Sequence, residues 1–303
     1  MKIKLTISTI LIIALISTVM MTGCNISNSD KNRSSSVNSS KEISCIVNNL
    51  IDKKSQDKVD GLLKNAGISE KRRDVFMEHV NQINDTDGFN SIKAGDRLQK
   101  ASETLYDPFD LQDAWNKAHP DFVGYNCRIT AFSLMGDNIE IKNIGNYNDS
   151  NLFMDIEALR SDPSALLKTD DLERFKTLYS TYDTENSKDI NIHLSVIQNK
   201  WKQMGVSFKE NSSASLISIF FHNQFSETEN ELIIGHTGVL LDMGKDGLCF
   251  IEKLAFQEPY DVIYVKNRKE LSSYLTAKYD IDYNQPTAPP FIMENDKLMK
   301  SDK

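Results

Sequence analysis

The chain has 303 residues, 40% hydrophobic and 26% charged, with 43 acidic against 35 basic side chains and a formal net charge of −8. Charges so balanced and dispersed, with no basic stripe, argue against a nucleic-acid partner. Four cysteines, none in a CxxC pair or at a zinc-ligand spacing, exclude a disulfide scaffold.

The first elements bear on location. Lys2 and Lys4 form a basic n-region, Leu5 to Met21 is an apolar run without a charge, and Met21-Thr22-Gly23-Cys24 places small residues before a cysteine. This resembles a bacterial lipoprotein signal peptide over residues 1–23. The resemblance implies that Cys24 is acylated and holds the mature chain to membrane lipid on the extracytoplasmic face. A bare signal peptide or an uncleaved anchor is the plainer alternative, because the run is near the lower limit for spanning a bilayer. Residues 24–42 carry the Ser/Asn-rich stretch NISNSDKNRSSSVNSSKE and read as a flexible tether. Loss of the two signal lysines takes the net charge from −8 to about −10. Once Cys24 is lipidated, Cys45, Cys127 and Cys249 remain, and three thiols cannot all pair.

Residues 43–290 read as a single α+β domain, large enough for a full core. Its first part, 43–118, reads as a helical lobe with Cys45 in the first helix. Val75, Phe76, Val80 and Ile83 form an amphipathic stripe that Thr86-Asp87-Gly88 breaks, and Pro108 opens a short helix ended by His119-Pro120. Residues 119–205 hold a short helix starting at Cys127 and then a helical insertion, with helical segments over 155–182 and 190–204. The character changes at Val206, where β-rich runs separated by turn signals begin, among them SASLISIFF, ELIIGHTGVLLDM, LCFIEKLAF and DVIYV. Gly244-Lys245-Asp246-Gly247 is a hairpin turn. Residues 206–280 therefore read as an antiparallel sheet with a closing helix, and 291–303 as a C-terminal tail. There is no internal repeat.

In GYNCRITAF, Gly124 and Asn126 are turn and cap residues, Ile129 and Phe132 share a helix face, and Gly136 is placed to stop the helix. Cys127 then sits in a helical first turn, near backbone N–H groups that favour a thiolate. Nucleophilic cysteine chemistry also needs a base, a group that orients the base, and oxyanion donors. Of the five histidines, His79, His119, His193 and His222 read as boundary, loop, helix-start and strand-end residues. His236 stands apart, between Gly235 and Gly238 in an apolar strand. Glycine inside a strand costs stability and marks close approach by another group.

Glu252 can orient His236 only if the register of the two strands sums to an even number, which puts both on one face. Otherwise Gln257, or a residue not singled out, takes that place. Oxyanion donors would be the Cys127 backbone N–H with Tyr125 or Asn126, the latter also a helix cap. Cys45 and Cys249 read as packing residues. The stretch from Gly238 to Lys245 has one residue too many for a phosphate loop. The stretch from Asp242 ends on Lys253 where a calcium loop needs an acid, and no HExxH, GxSxG or GxGxxG occurs. The chemistry expected is cysteine-dependent, with neither metal nor cofactor.

Asn126-Cys127 at a helix start, His236-Thr237-Gly238-Val239 on a strand and Phe250-Ile251-Glu252 on the next resemble the papain-like cysteine hydrolases, and most of all the NlpC-type cell-wall peptidases and their amidase relatives. The resemblance covers about 120–265. It implies a nucleophile helix packed on an antiparallel sheet, a Cys127 thioester, His236 as base and then acid, and Glu252 as third residue. This chain departs in having Asn126 and Arg128 beside the cysteine and a long insertion before the sheet. Over residues 42–290 the chain also resembles a lipoprotein family of low-GC Gram-positive bacteria, known as a domain of unknown function. The expected function is a surface-anchored cysteine amidase or peptidase acting on a cell-wall peptide or other small amide. The alternative is a lipoprotein that uses the same fold for binding or adhesion without turnover. A solute-binding lipoprotein fits less well, since it needs alternating βα units in two lobes.

Overall fold

Hydrogen-bonding side chains mark where the helices begin. Asp52, Asp107, Asn126, Asp189 and Asn267 each accept a backbone N–H from the turn that follows, satisfying a donor with no intrahelical acceptor. The computed structural model describes residues 43–300 apart from 146, 163–166, 168, 211, 282 and 283. The signal, the tether and Cys24 lie outside the described residues.

The first half of the chain gives β1 (Ser44–Asn48), α1 (Lys53–Asn65), α2 (Glu70–Asn84), β2 (Arg97–Lys100), α3 (Pro108–Ala118), α4 (Cys127–Met135) and β3 (Ile139–Ile141). Next come α5 (Phe153–Ser161), α6 (Thr169–Leu178), β4 (Tyr182–Asp183), α7 (Ile190–Met204) and β5 (Val206–Phe208). The remainder is β6 (Ala214–Gln224), β7 (Asn230–Asp242), β8 (Leu248–Lys253), β9 (Tyr260–Val265), α8 (Arg268–Tyr279), β10 (Phe291–Glu294) and β11 (Lys297–Leu298).

The result is an α+β fold built on one antiparallel sheet. Its order is β11-β10-β6-β7-β8-β9-β1-β2, with β4 also paired to β7, while β3 and β5 form a separate pair. Alternation along the central strands sends side chains to two cores. On one face Phe76, Ile129 and Phe132 bury against Leu232, Val239, Leu241 and Ile251. On the other, α8 lays Leu271, Tyr274 and Leu275 against Ile219, Leu240, Phe250 and Ile263. Each such side chain contributes about 1.5–3 kcal/mol by leaving water, which fixes α4 and α8 on opposite sides of β7 and β8. Among the described residues no helix is long and apolar enough to cross a membrane.

Two expectations for the ends of the domain need correction. Residues 43–118 are not a purely helical lobe: Cys45 lies in β1, which pairs with β9 and β2. The physical reason is a period of two, with Cys45 and Val47 buried and Ser44 and Ile46 exposed, too short a run to distinguish from a helix start by local pattern. Nor are residues 291–303 simply a tail. Phe291 to Glu294 adds to the sheet beside β6, with Phe291 opposite Phe220 and Met293 fully buried.

Candidate functional site

His236 owes its direction to a β-bulge. In the β6–β7 ladder Phe220 faces Ile234 and Ile219 faces His236, so Gly235 is an extra residue. Before the bulge, Leu232 and Ile234 point to the α4 face; after it, Val239 and Leu241 do, and Leu240 joins the α8 face. One inserted residue thus turns His236 to the α8 side, where Tyr279 stacks on its ring at 4.7 Å. Gly235 is required because a Cβ there would stand 2.1 Å from the Phe221 ring. The group whose approach the strand glycine signals is therefore an aromatic ring.

One edge of β7 is open beside the histidine. β8 pairs with Gly238 to Asp242 and β4 with Glu231 and Leu232, leaving 233–237 without a strand partner on that side among the described residues. The first turn of α4 lies in the opening, where Arg128 Nη1 donates to Ile234 O at 3.1 Å. The neighbouring Cys127 side chain is close enough to the His236 ring for each to shift the other's proton affinity. Since Nε2 of that ring is 2.7 Å from Glu252 Oε2, Nδ1 is the nitrogen left for the sulfur.

Three buried cysteines show what this contact does. Burial pushes the Cys45 thiol up to about 11 and Cys249 up to about 12. Cys127 is as covered as Cys45, each being 6% exposed. Burial pushes its thiol up as well, but the bond to His236, the charge of that ring and the Arg128 guanidinium outweigh burial and hold it below its ordinary value. Burial alone would lower His236; bonds to Cys127 and Glu252 raise it to about 9. The arrangement makes Cys127 easier to ionise than Cys45 or Cys249 and favours the protonated His236 ring.

The even register is present, with Gly238 opposite Glu252. Glu252 is fully buried and accepts three hydrogen bonds: from His236, from the Tyr274 hydroxyl at 2.6 Å and from Lys278 Nζ at 3.1 Å. Burial raises a carboxyl, yet the Lys278 charge and the His236 and Tyr274 bonds bring Glu252 down to about 2. Lys278 and Tyr274 escaped sequence reasoning. They lie four apart on α8, and the only available signal was that i, i+4 spacing, which a solvated helix shares.

The side chains expected as oxyanion donors are turned elsewhere, which corrects that assignment. Asn126 spends its carbonyl on the Ile129 N–H and its amide on Asp155. The Tyr125 hydroxyl donates to Asp162 at 2.9 Å, and its ring stacks on His79. Gln257 ties Val123 O and does not reach His236's carboxylate partner position. Tyr179 was not foreseen: it is fully buried, Cys127 is the foremost charge acting on it, and its hydroxyl lies beside Thr237. His119, His193 and His222 bond Thr86, Thr184 and Asn230 respectively, away from the cysteine. Among the described residues no group of three or more His, Cys, Asp or Glu side chains is arranged to hold a metal ion.

Comparison with protein families finds a match to a domain of unknown function (DUF4300) over residues 46–299. Comparisons with curated proteins and with solved structures give no match. The matched span takes in the end of β1, the cysteine helix, the bulged strand and β10, so the chain belongs to the DUF4300 family.

Proposed function

We propose that this protein is a papain-like cysteine hydrolase, an amidase or peptidase that works through a thioester on Cys127. The observation that carries the reading is a single ring, His236, hydrogen-bonded to the buried Glu252 carboxylate and lying where its charge holds the Cys127 thiol down. The Cys127 thiolate attacks the amide carbonyl carbon, forming a C–S bond and an oxyanion. His236 Nδ1–H then gives its proton to the leaving amine as the C–N bond breaks. Water attacks the thioester, its proton passes to the neutral imidazole, and C–S cleavage releases the acid and restores the ion pair. Glu252 keeps the ring oriented throughout and stabilises its charged form. The oxyanion donors are the Cys127 backbone N–H, in the first turn of α4, and the Tyr179 hydroxyl, buried and within the field of the Cys127 charge.

The test is an acyl-enzyme trap with a para-nitrophenyl acyl ester. The reading expects a nitrophenol burst stoichiometric with protein, the acyl group on the Cys127 peptide, and a slower burst in Tyr179→Phe with unchanged alkylation of the thiol. Acylation confined to lysines would reject it. A second reading, binding or adhesion without turnover, draws on the closure of the pair, since His236 is 2% exposed beneath Tyr279. That reading expects no burst.

The proposal places the enzyme on the extracytoplasmic face of the membrane, anchored through Cys24, with a cell-wall peptide or another small amide as substrate. Lys2, Lys4, the apolar run and Met21-Thr22-Gly23-Cys24 support the anchor. Metabolic labelling with a clickable fatty acid should mark the wild type and not Cys24→Ala; equal labelling of both would remove the anchor from the account.

A further inference from the structure

The two residues flanking Cys127 bind the same carboxylate. Arg128 forms a fork onto Asp155, Nε to Oδ1 at 2.9 Å and Nη2 to Oδ2 at 2.6 Å, and Asn126 Nδ2 reaches Oδ1 at 2.8 Å. Asp155 is fully buried on α5, in the helical insertion, and Arg128 is mostly covered. The remaining arm of the guanidinium, Nη1, donates to Ile234 O, immediately before the Gly235 bulge and two residues from His236. One guanidinium therefore grips three elements: the first turn of the cysteine helix, the insertion, and the histidine strand at its bulge. Planar, five-donor geometry allows this, and a lysine ammonium cannot reproduce it.

We propose that Arg128 and Asp155 are positioning residues, whose fork sets the separation of Cys127 from His236. The inference rests on the reading of these two as nucleophile and proton carrier, and it gives the insertion a task. Nothing in the chain joins residue 127 to residue 236 locally. The open edge of β7 would let the helix start drift, and a thiol–imidazole contact is sensitive to displacements well under a hydrogen-bond length. The Ile234 carbonyl, left without a strand donor, takes Arg128 in its place, so the same bond satisfies the sheet edge and ties nucleophile to base.

Positioning and plain electrostatics predict different signs. Charged groups acting on the sulfur are His236, Arg128 and Asp155, and Lys253, Tyr179 and Tyr279 also feel its charge. Arg128→Lys keeps the positive charge, so charge alone leaves the thiol unchanged. Asp155→Asn removes a negative neighbour, so charge alone makes the thiolate easier to form. Loosening the contact with His236 does the opposite in both variants, since the thiol reverts toward the burial-raised behaviour of Cys45 and Cys249.

The experiment is the pH profile of Cys127 alkylation by iodoacetamide, read by peptide mapping on the full chain, with thermal unfolding beside it. Both variants should alkylate at least about tenfold more slowly at pH 7 and show midpoints about one pH unit or more higher. Arg73→Lys, at another covered arginine paired with Asp60, should lower the melting temperature and leave the profile alone. A profile unchanged in Arg128→Lys and unchanged or shifted down in Asp155→Asn would overturn the proposal. If Arg128→Lys does not fold, the near-isosteric Asp155→Asn decides alone by the sign of its shift. A wild type whose Cys127 titrates with Cys45 and Cys249 would instead sink the ion-pair reading, and this inference with it.

Discussion

Cys127→Ala and His236→Ala should each slow hydrolysis of an activated acyl ester by a similar factor, on the order of 10⁴ or more. The double variant should be little worse than either alone. The reason is that the pair acts as one unit. Without the imidazole only the Arg128 charge opposes burial, which drives the other two thiols to about 11 and 12; without the sulfur the imidazole has no nucleophile to serve. Double-variant losses that multiply would mean the two residues act independently and the shared proton does not exist. The Arg73→Lys variant serves as a folding control in the same assay.

The second large effect concerns stability. Glu252 is fully buried and holds His236, Tyr274 and Lys278 together. Removing one partner from a buried ion pair leaves the others uncompensated, at a cost of about 3–5 kcal/mol. For a domain of this size Glu252→Gln should lower the melting temperature on the order of 10 °C. Glu252→Gln/Lys278→Met should recover part of that loss, because the stranded ammonium is gone. Melting within a degree or two of wild type would show that no ionised carboxylate is buried there.

The same network sets the pH range of stability. Glu252 is brought down from its ordinary 4.5 to about 2, so its contribution is complete above 4.5 and fades as pH falls toward 2. His236 is raised from 6.5 to about 9; its contribution is complete below 6.5 and fades as pH rises through 9. The two groups share one bond, so their contributions do not add.

How far the site could be read from sequence depended on the range of the signal. The start of α4 was legible because its cap, Asn126, and its stop, Gly136, are local. The face shared by Glu252 and Gly238 hung on strand parity, which the sequence left open; the loop over 243–247 supplies the odd count that puts both on one side. The bulge at Gly235 was not legible: its cause is the Phe221 ring on β6, a neighbour the local pattern does not show. Asp155 and Lys278 were not legible as site residues, because a charged residue looks the same in sequence whether its partner is water or a buried ion. β1 was lost for a related reason, since a five-residue alternating run becomes a strand only through β9 and β2.

The central claim is that Cys127 and His236 share a proton as a thiolate–imidazolium pair. Its most direct measurement is the ultraviolet thiolate absorbance of Cys127 across pH, taken as the difference between wild type and Cys127→Ala, and repeated in the His236→Ala background. The account predicts ionisation in the wild type below the ~8.5 of a free thiol, and above it, in the range of Cys45 and Cys249, once His236 is gone. A wild-type Cys127 that ionises at or above the free-thiol value, unmoved by loss of His236, would contradict it.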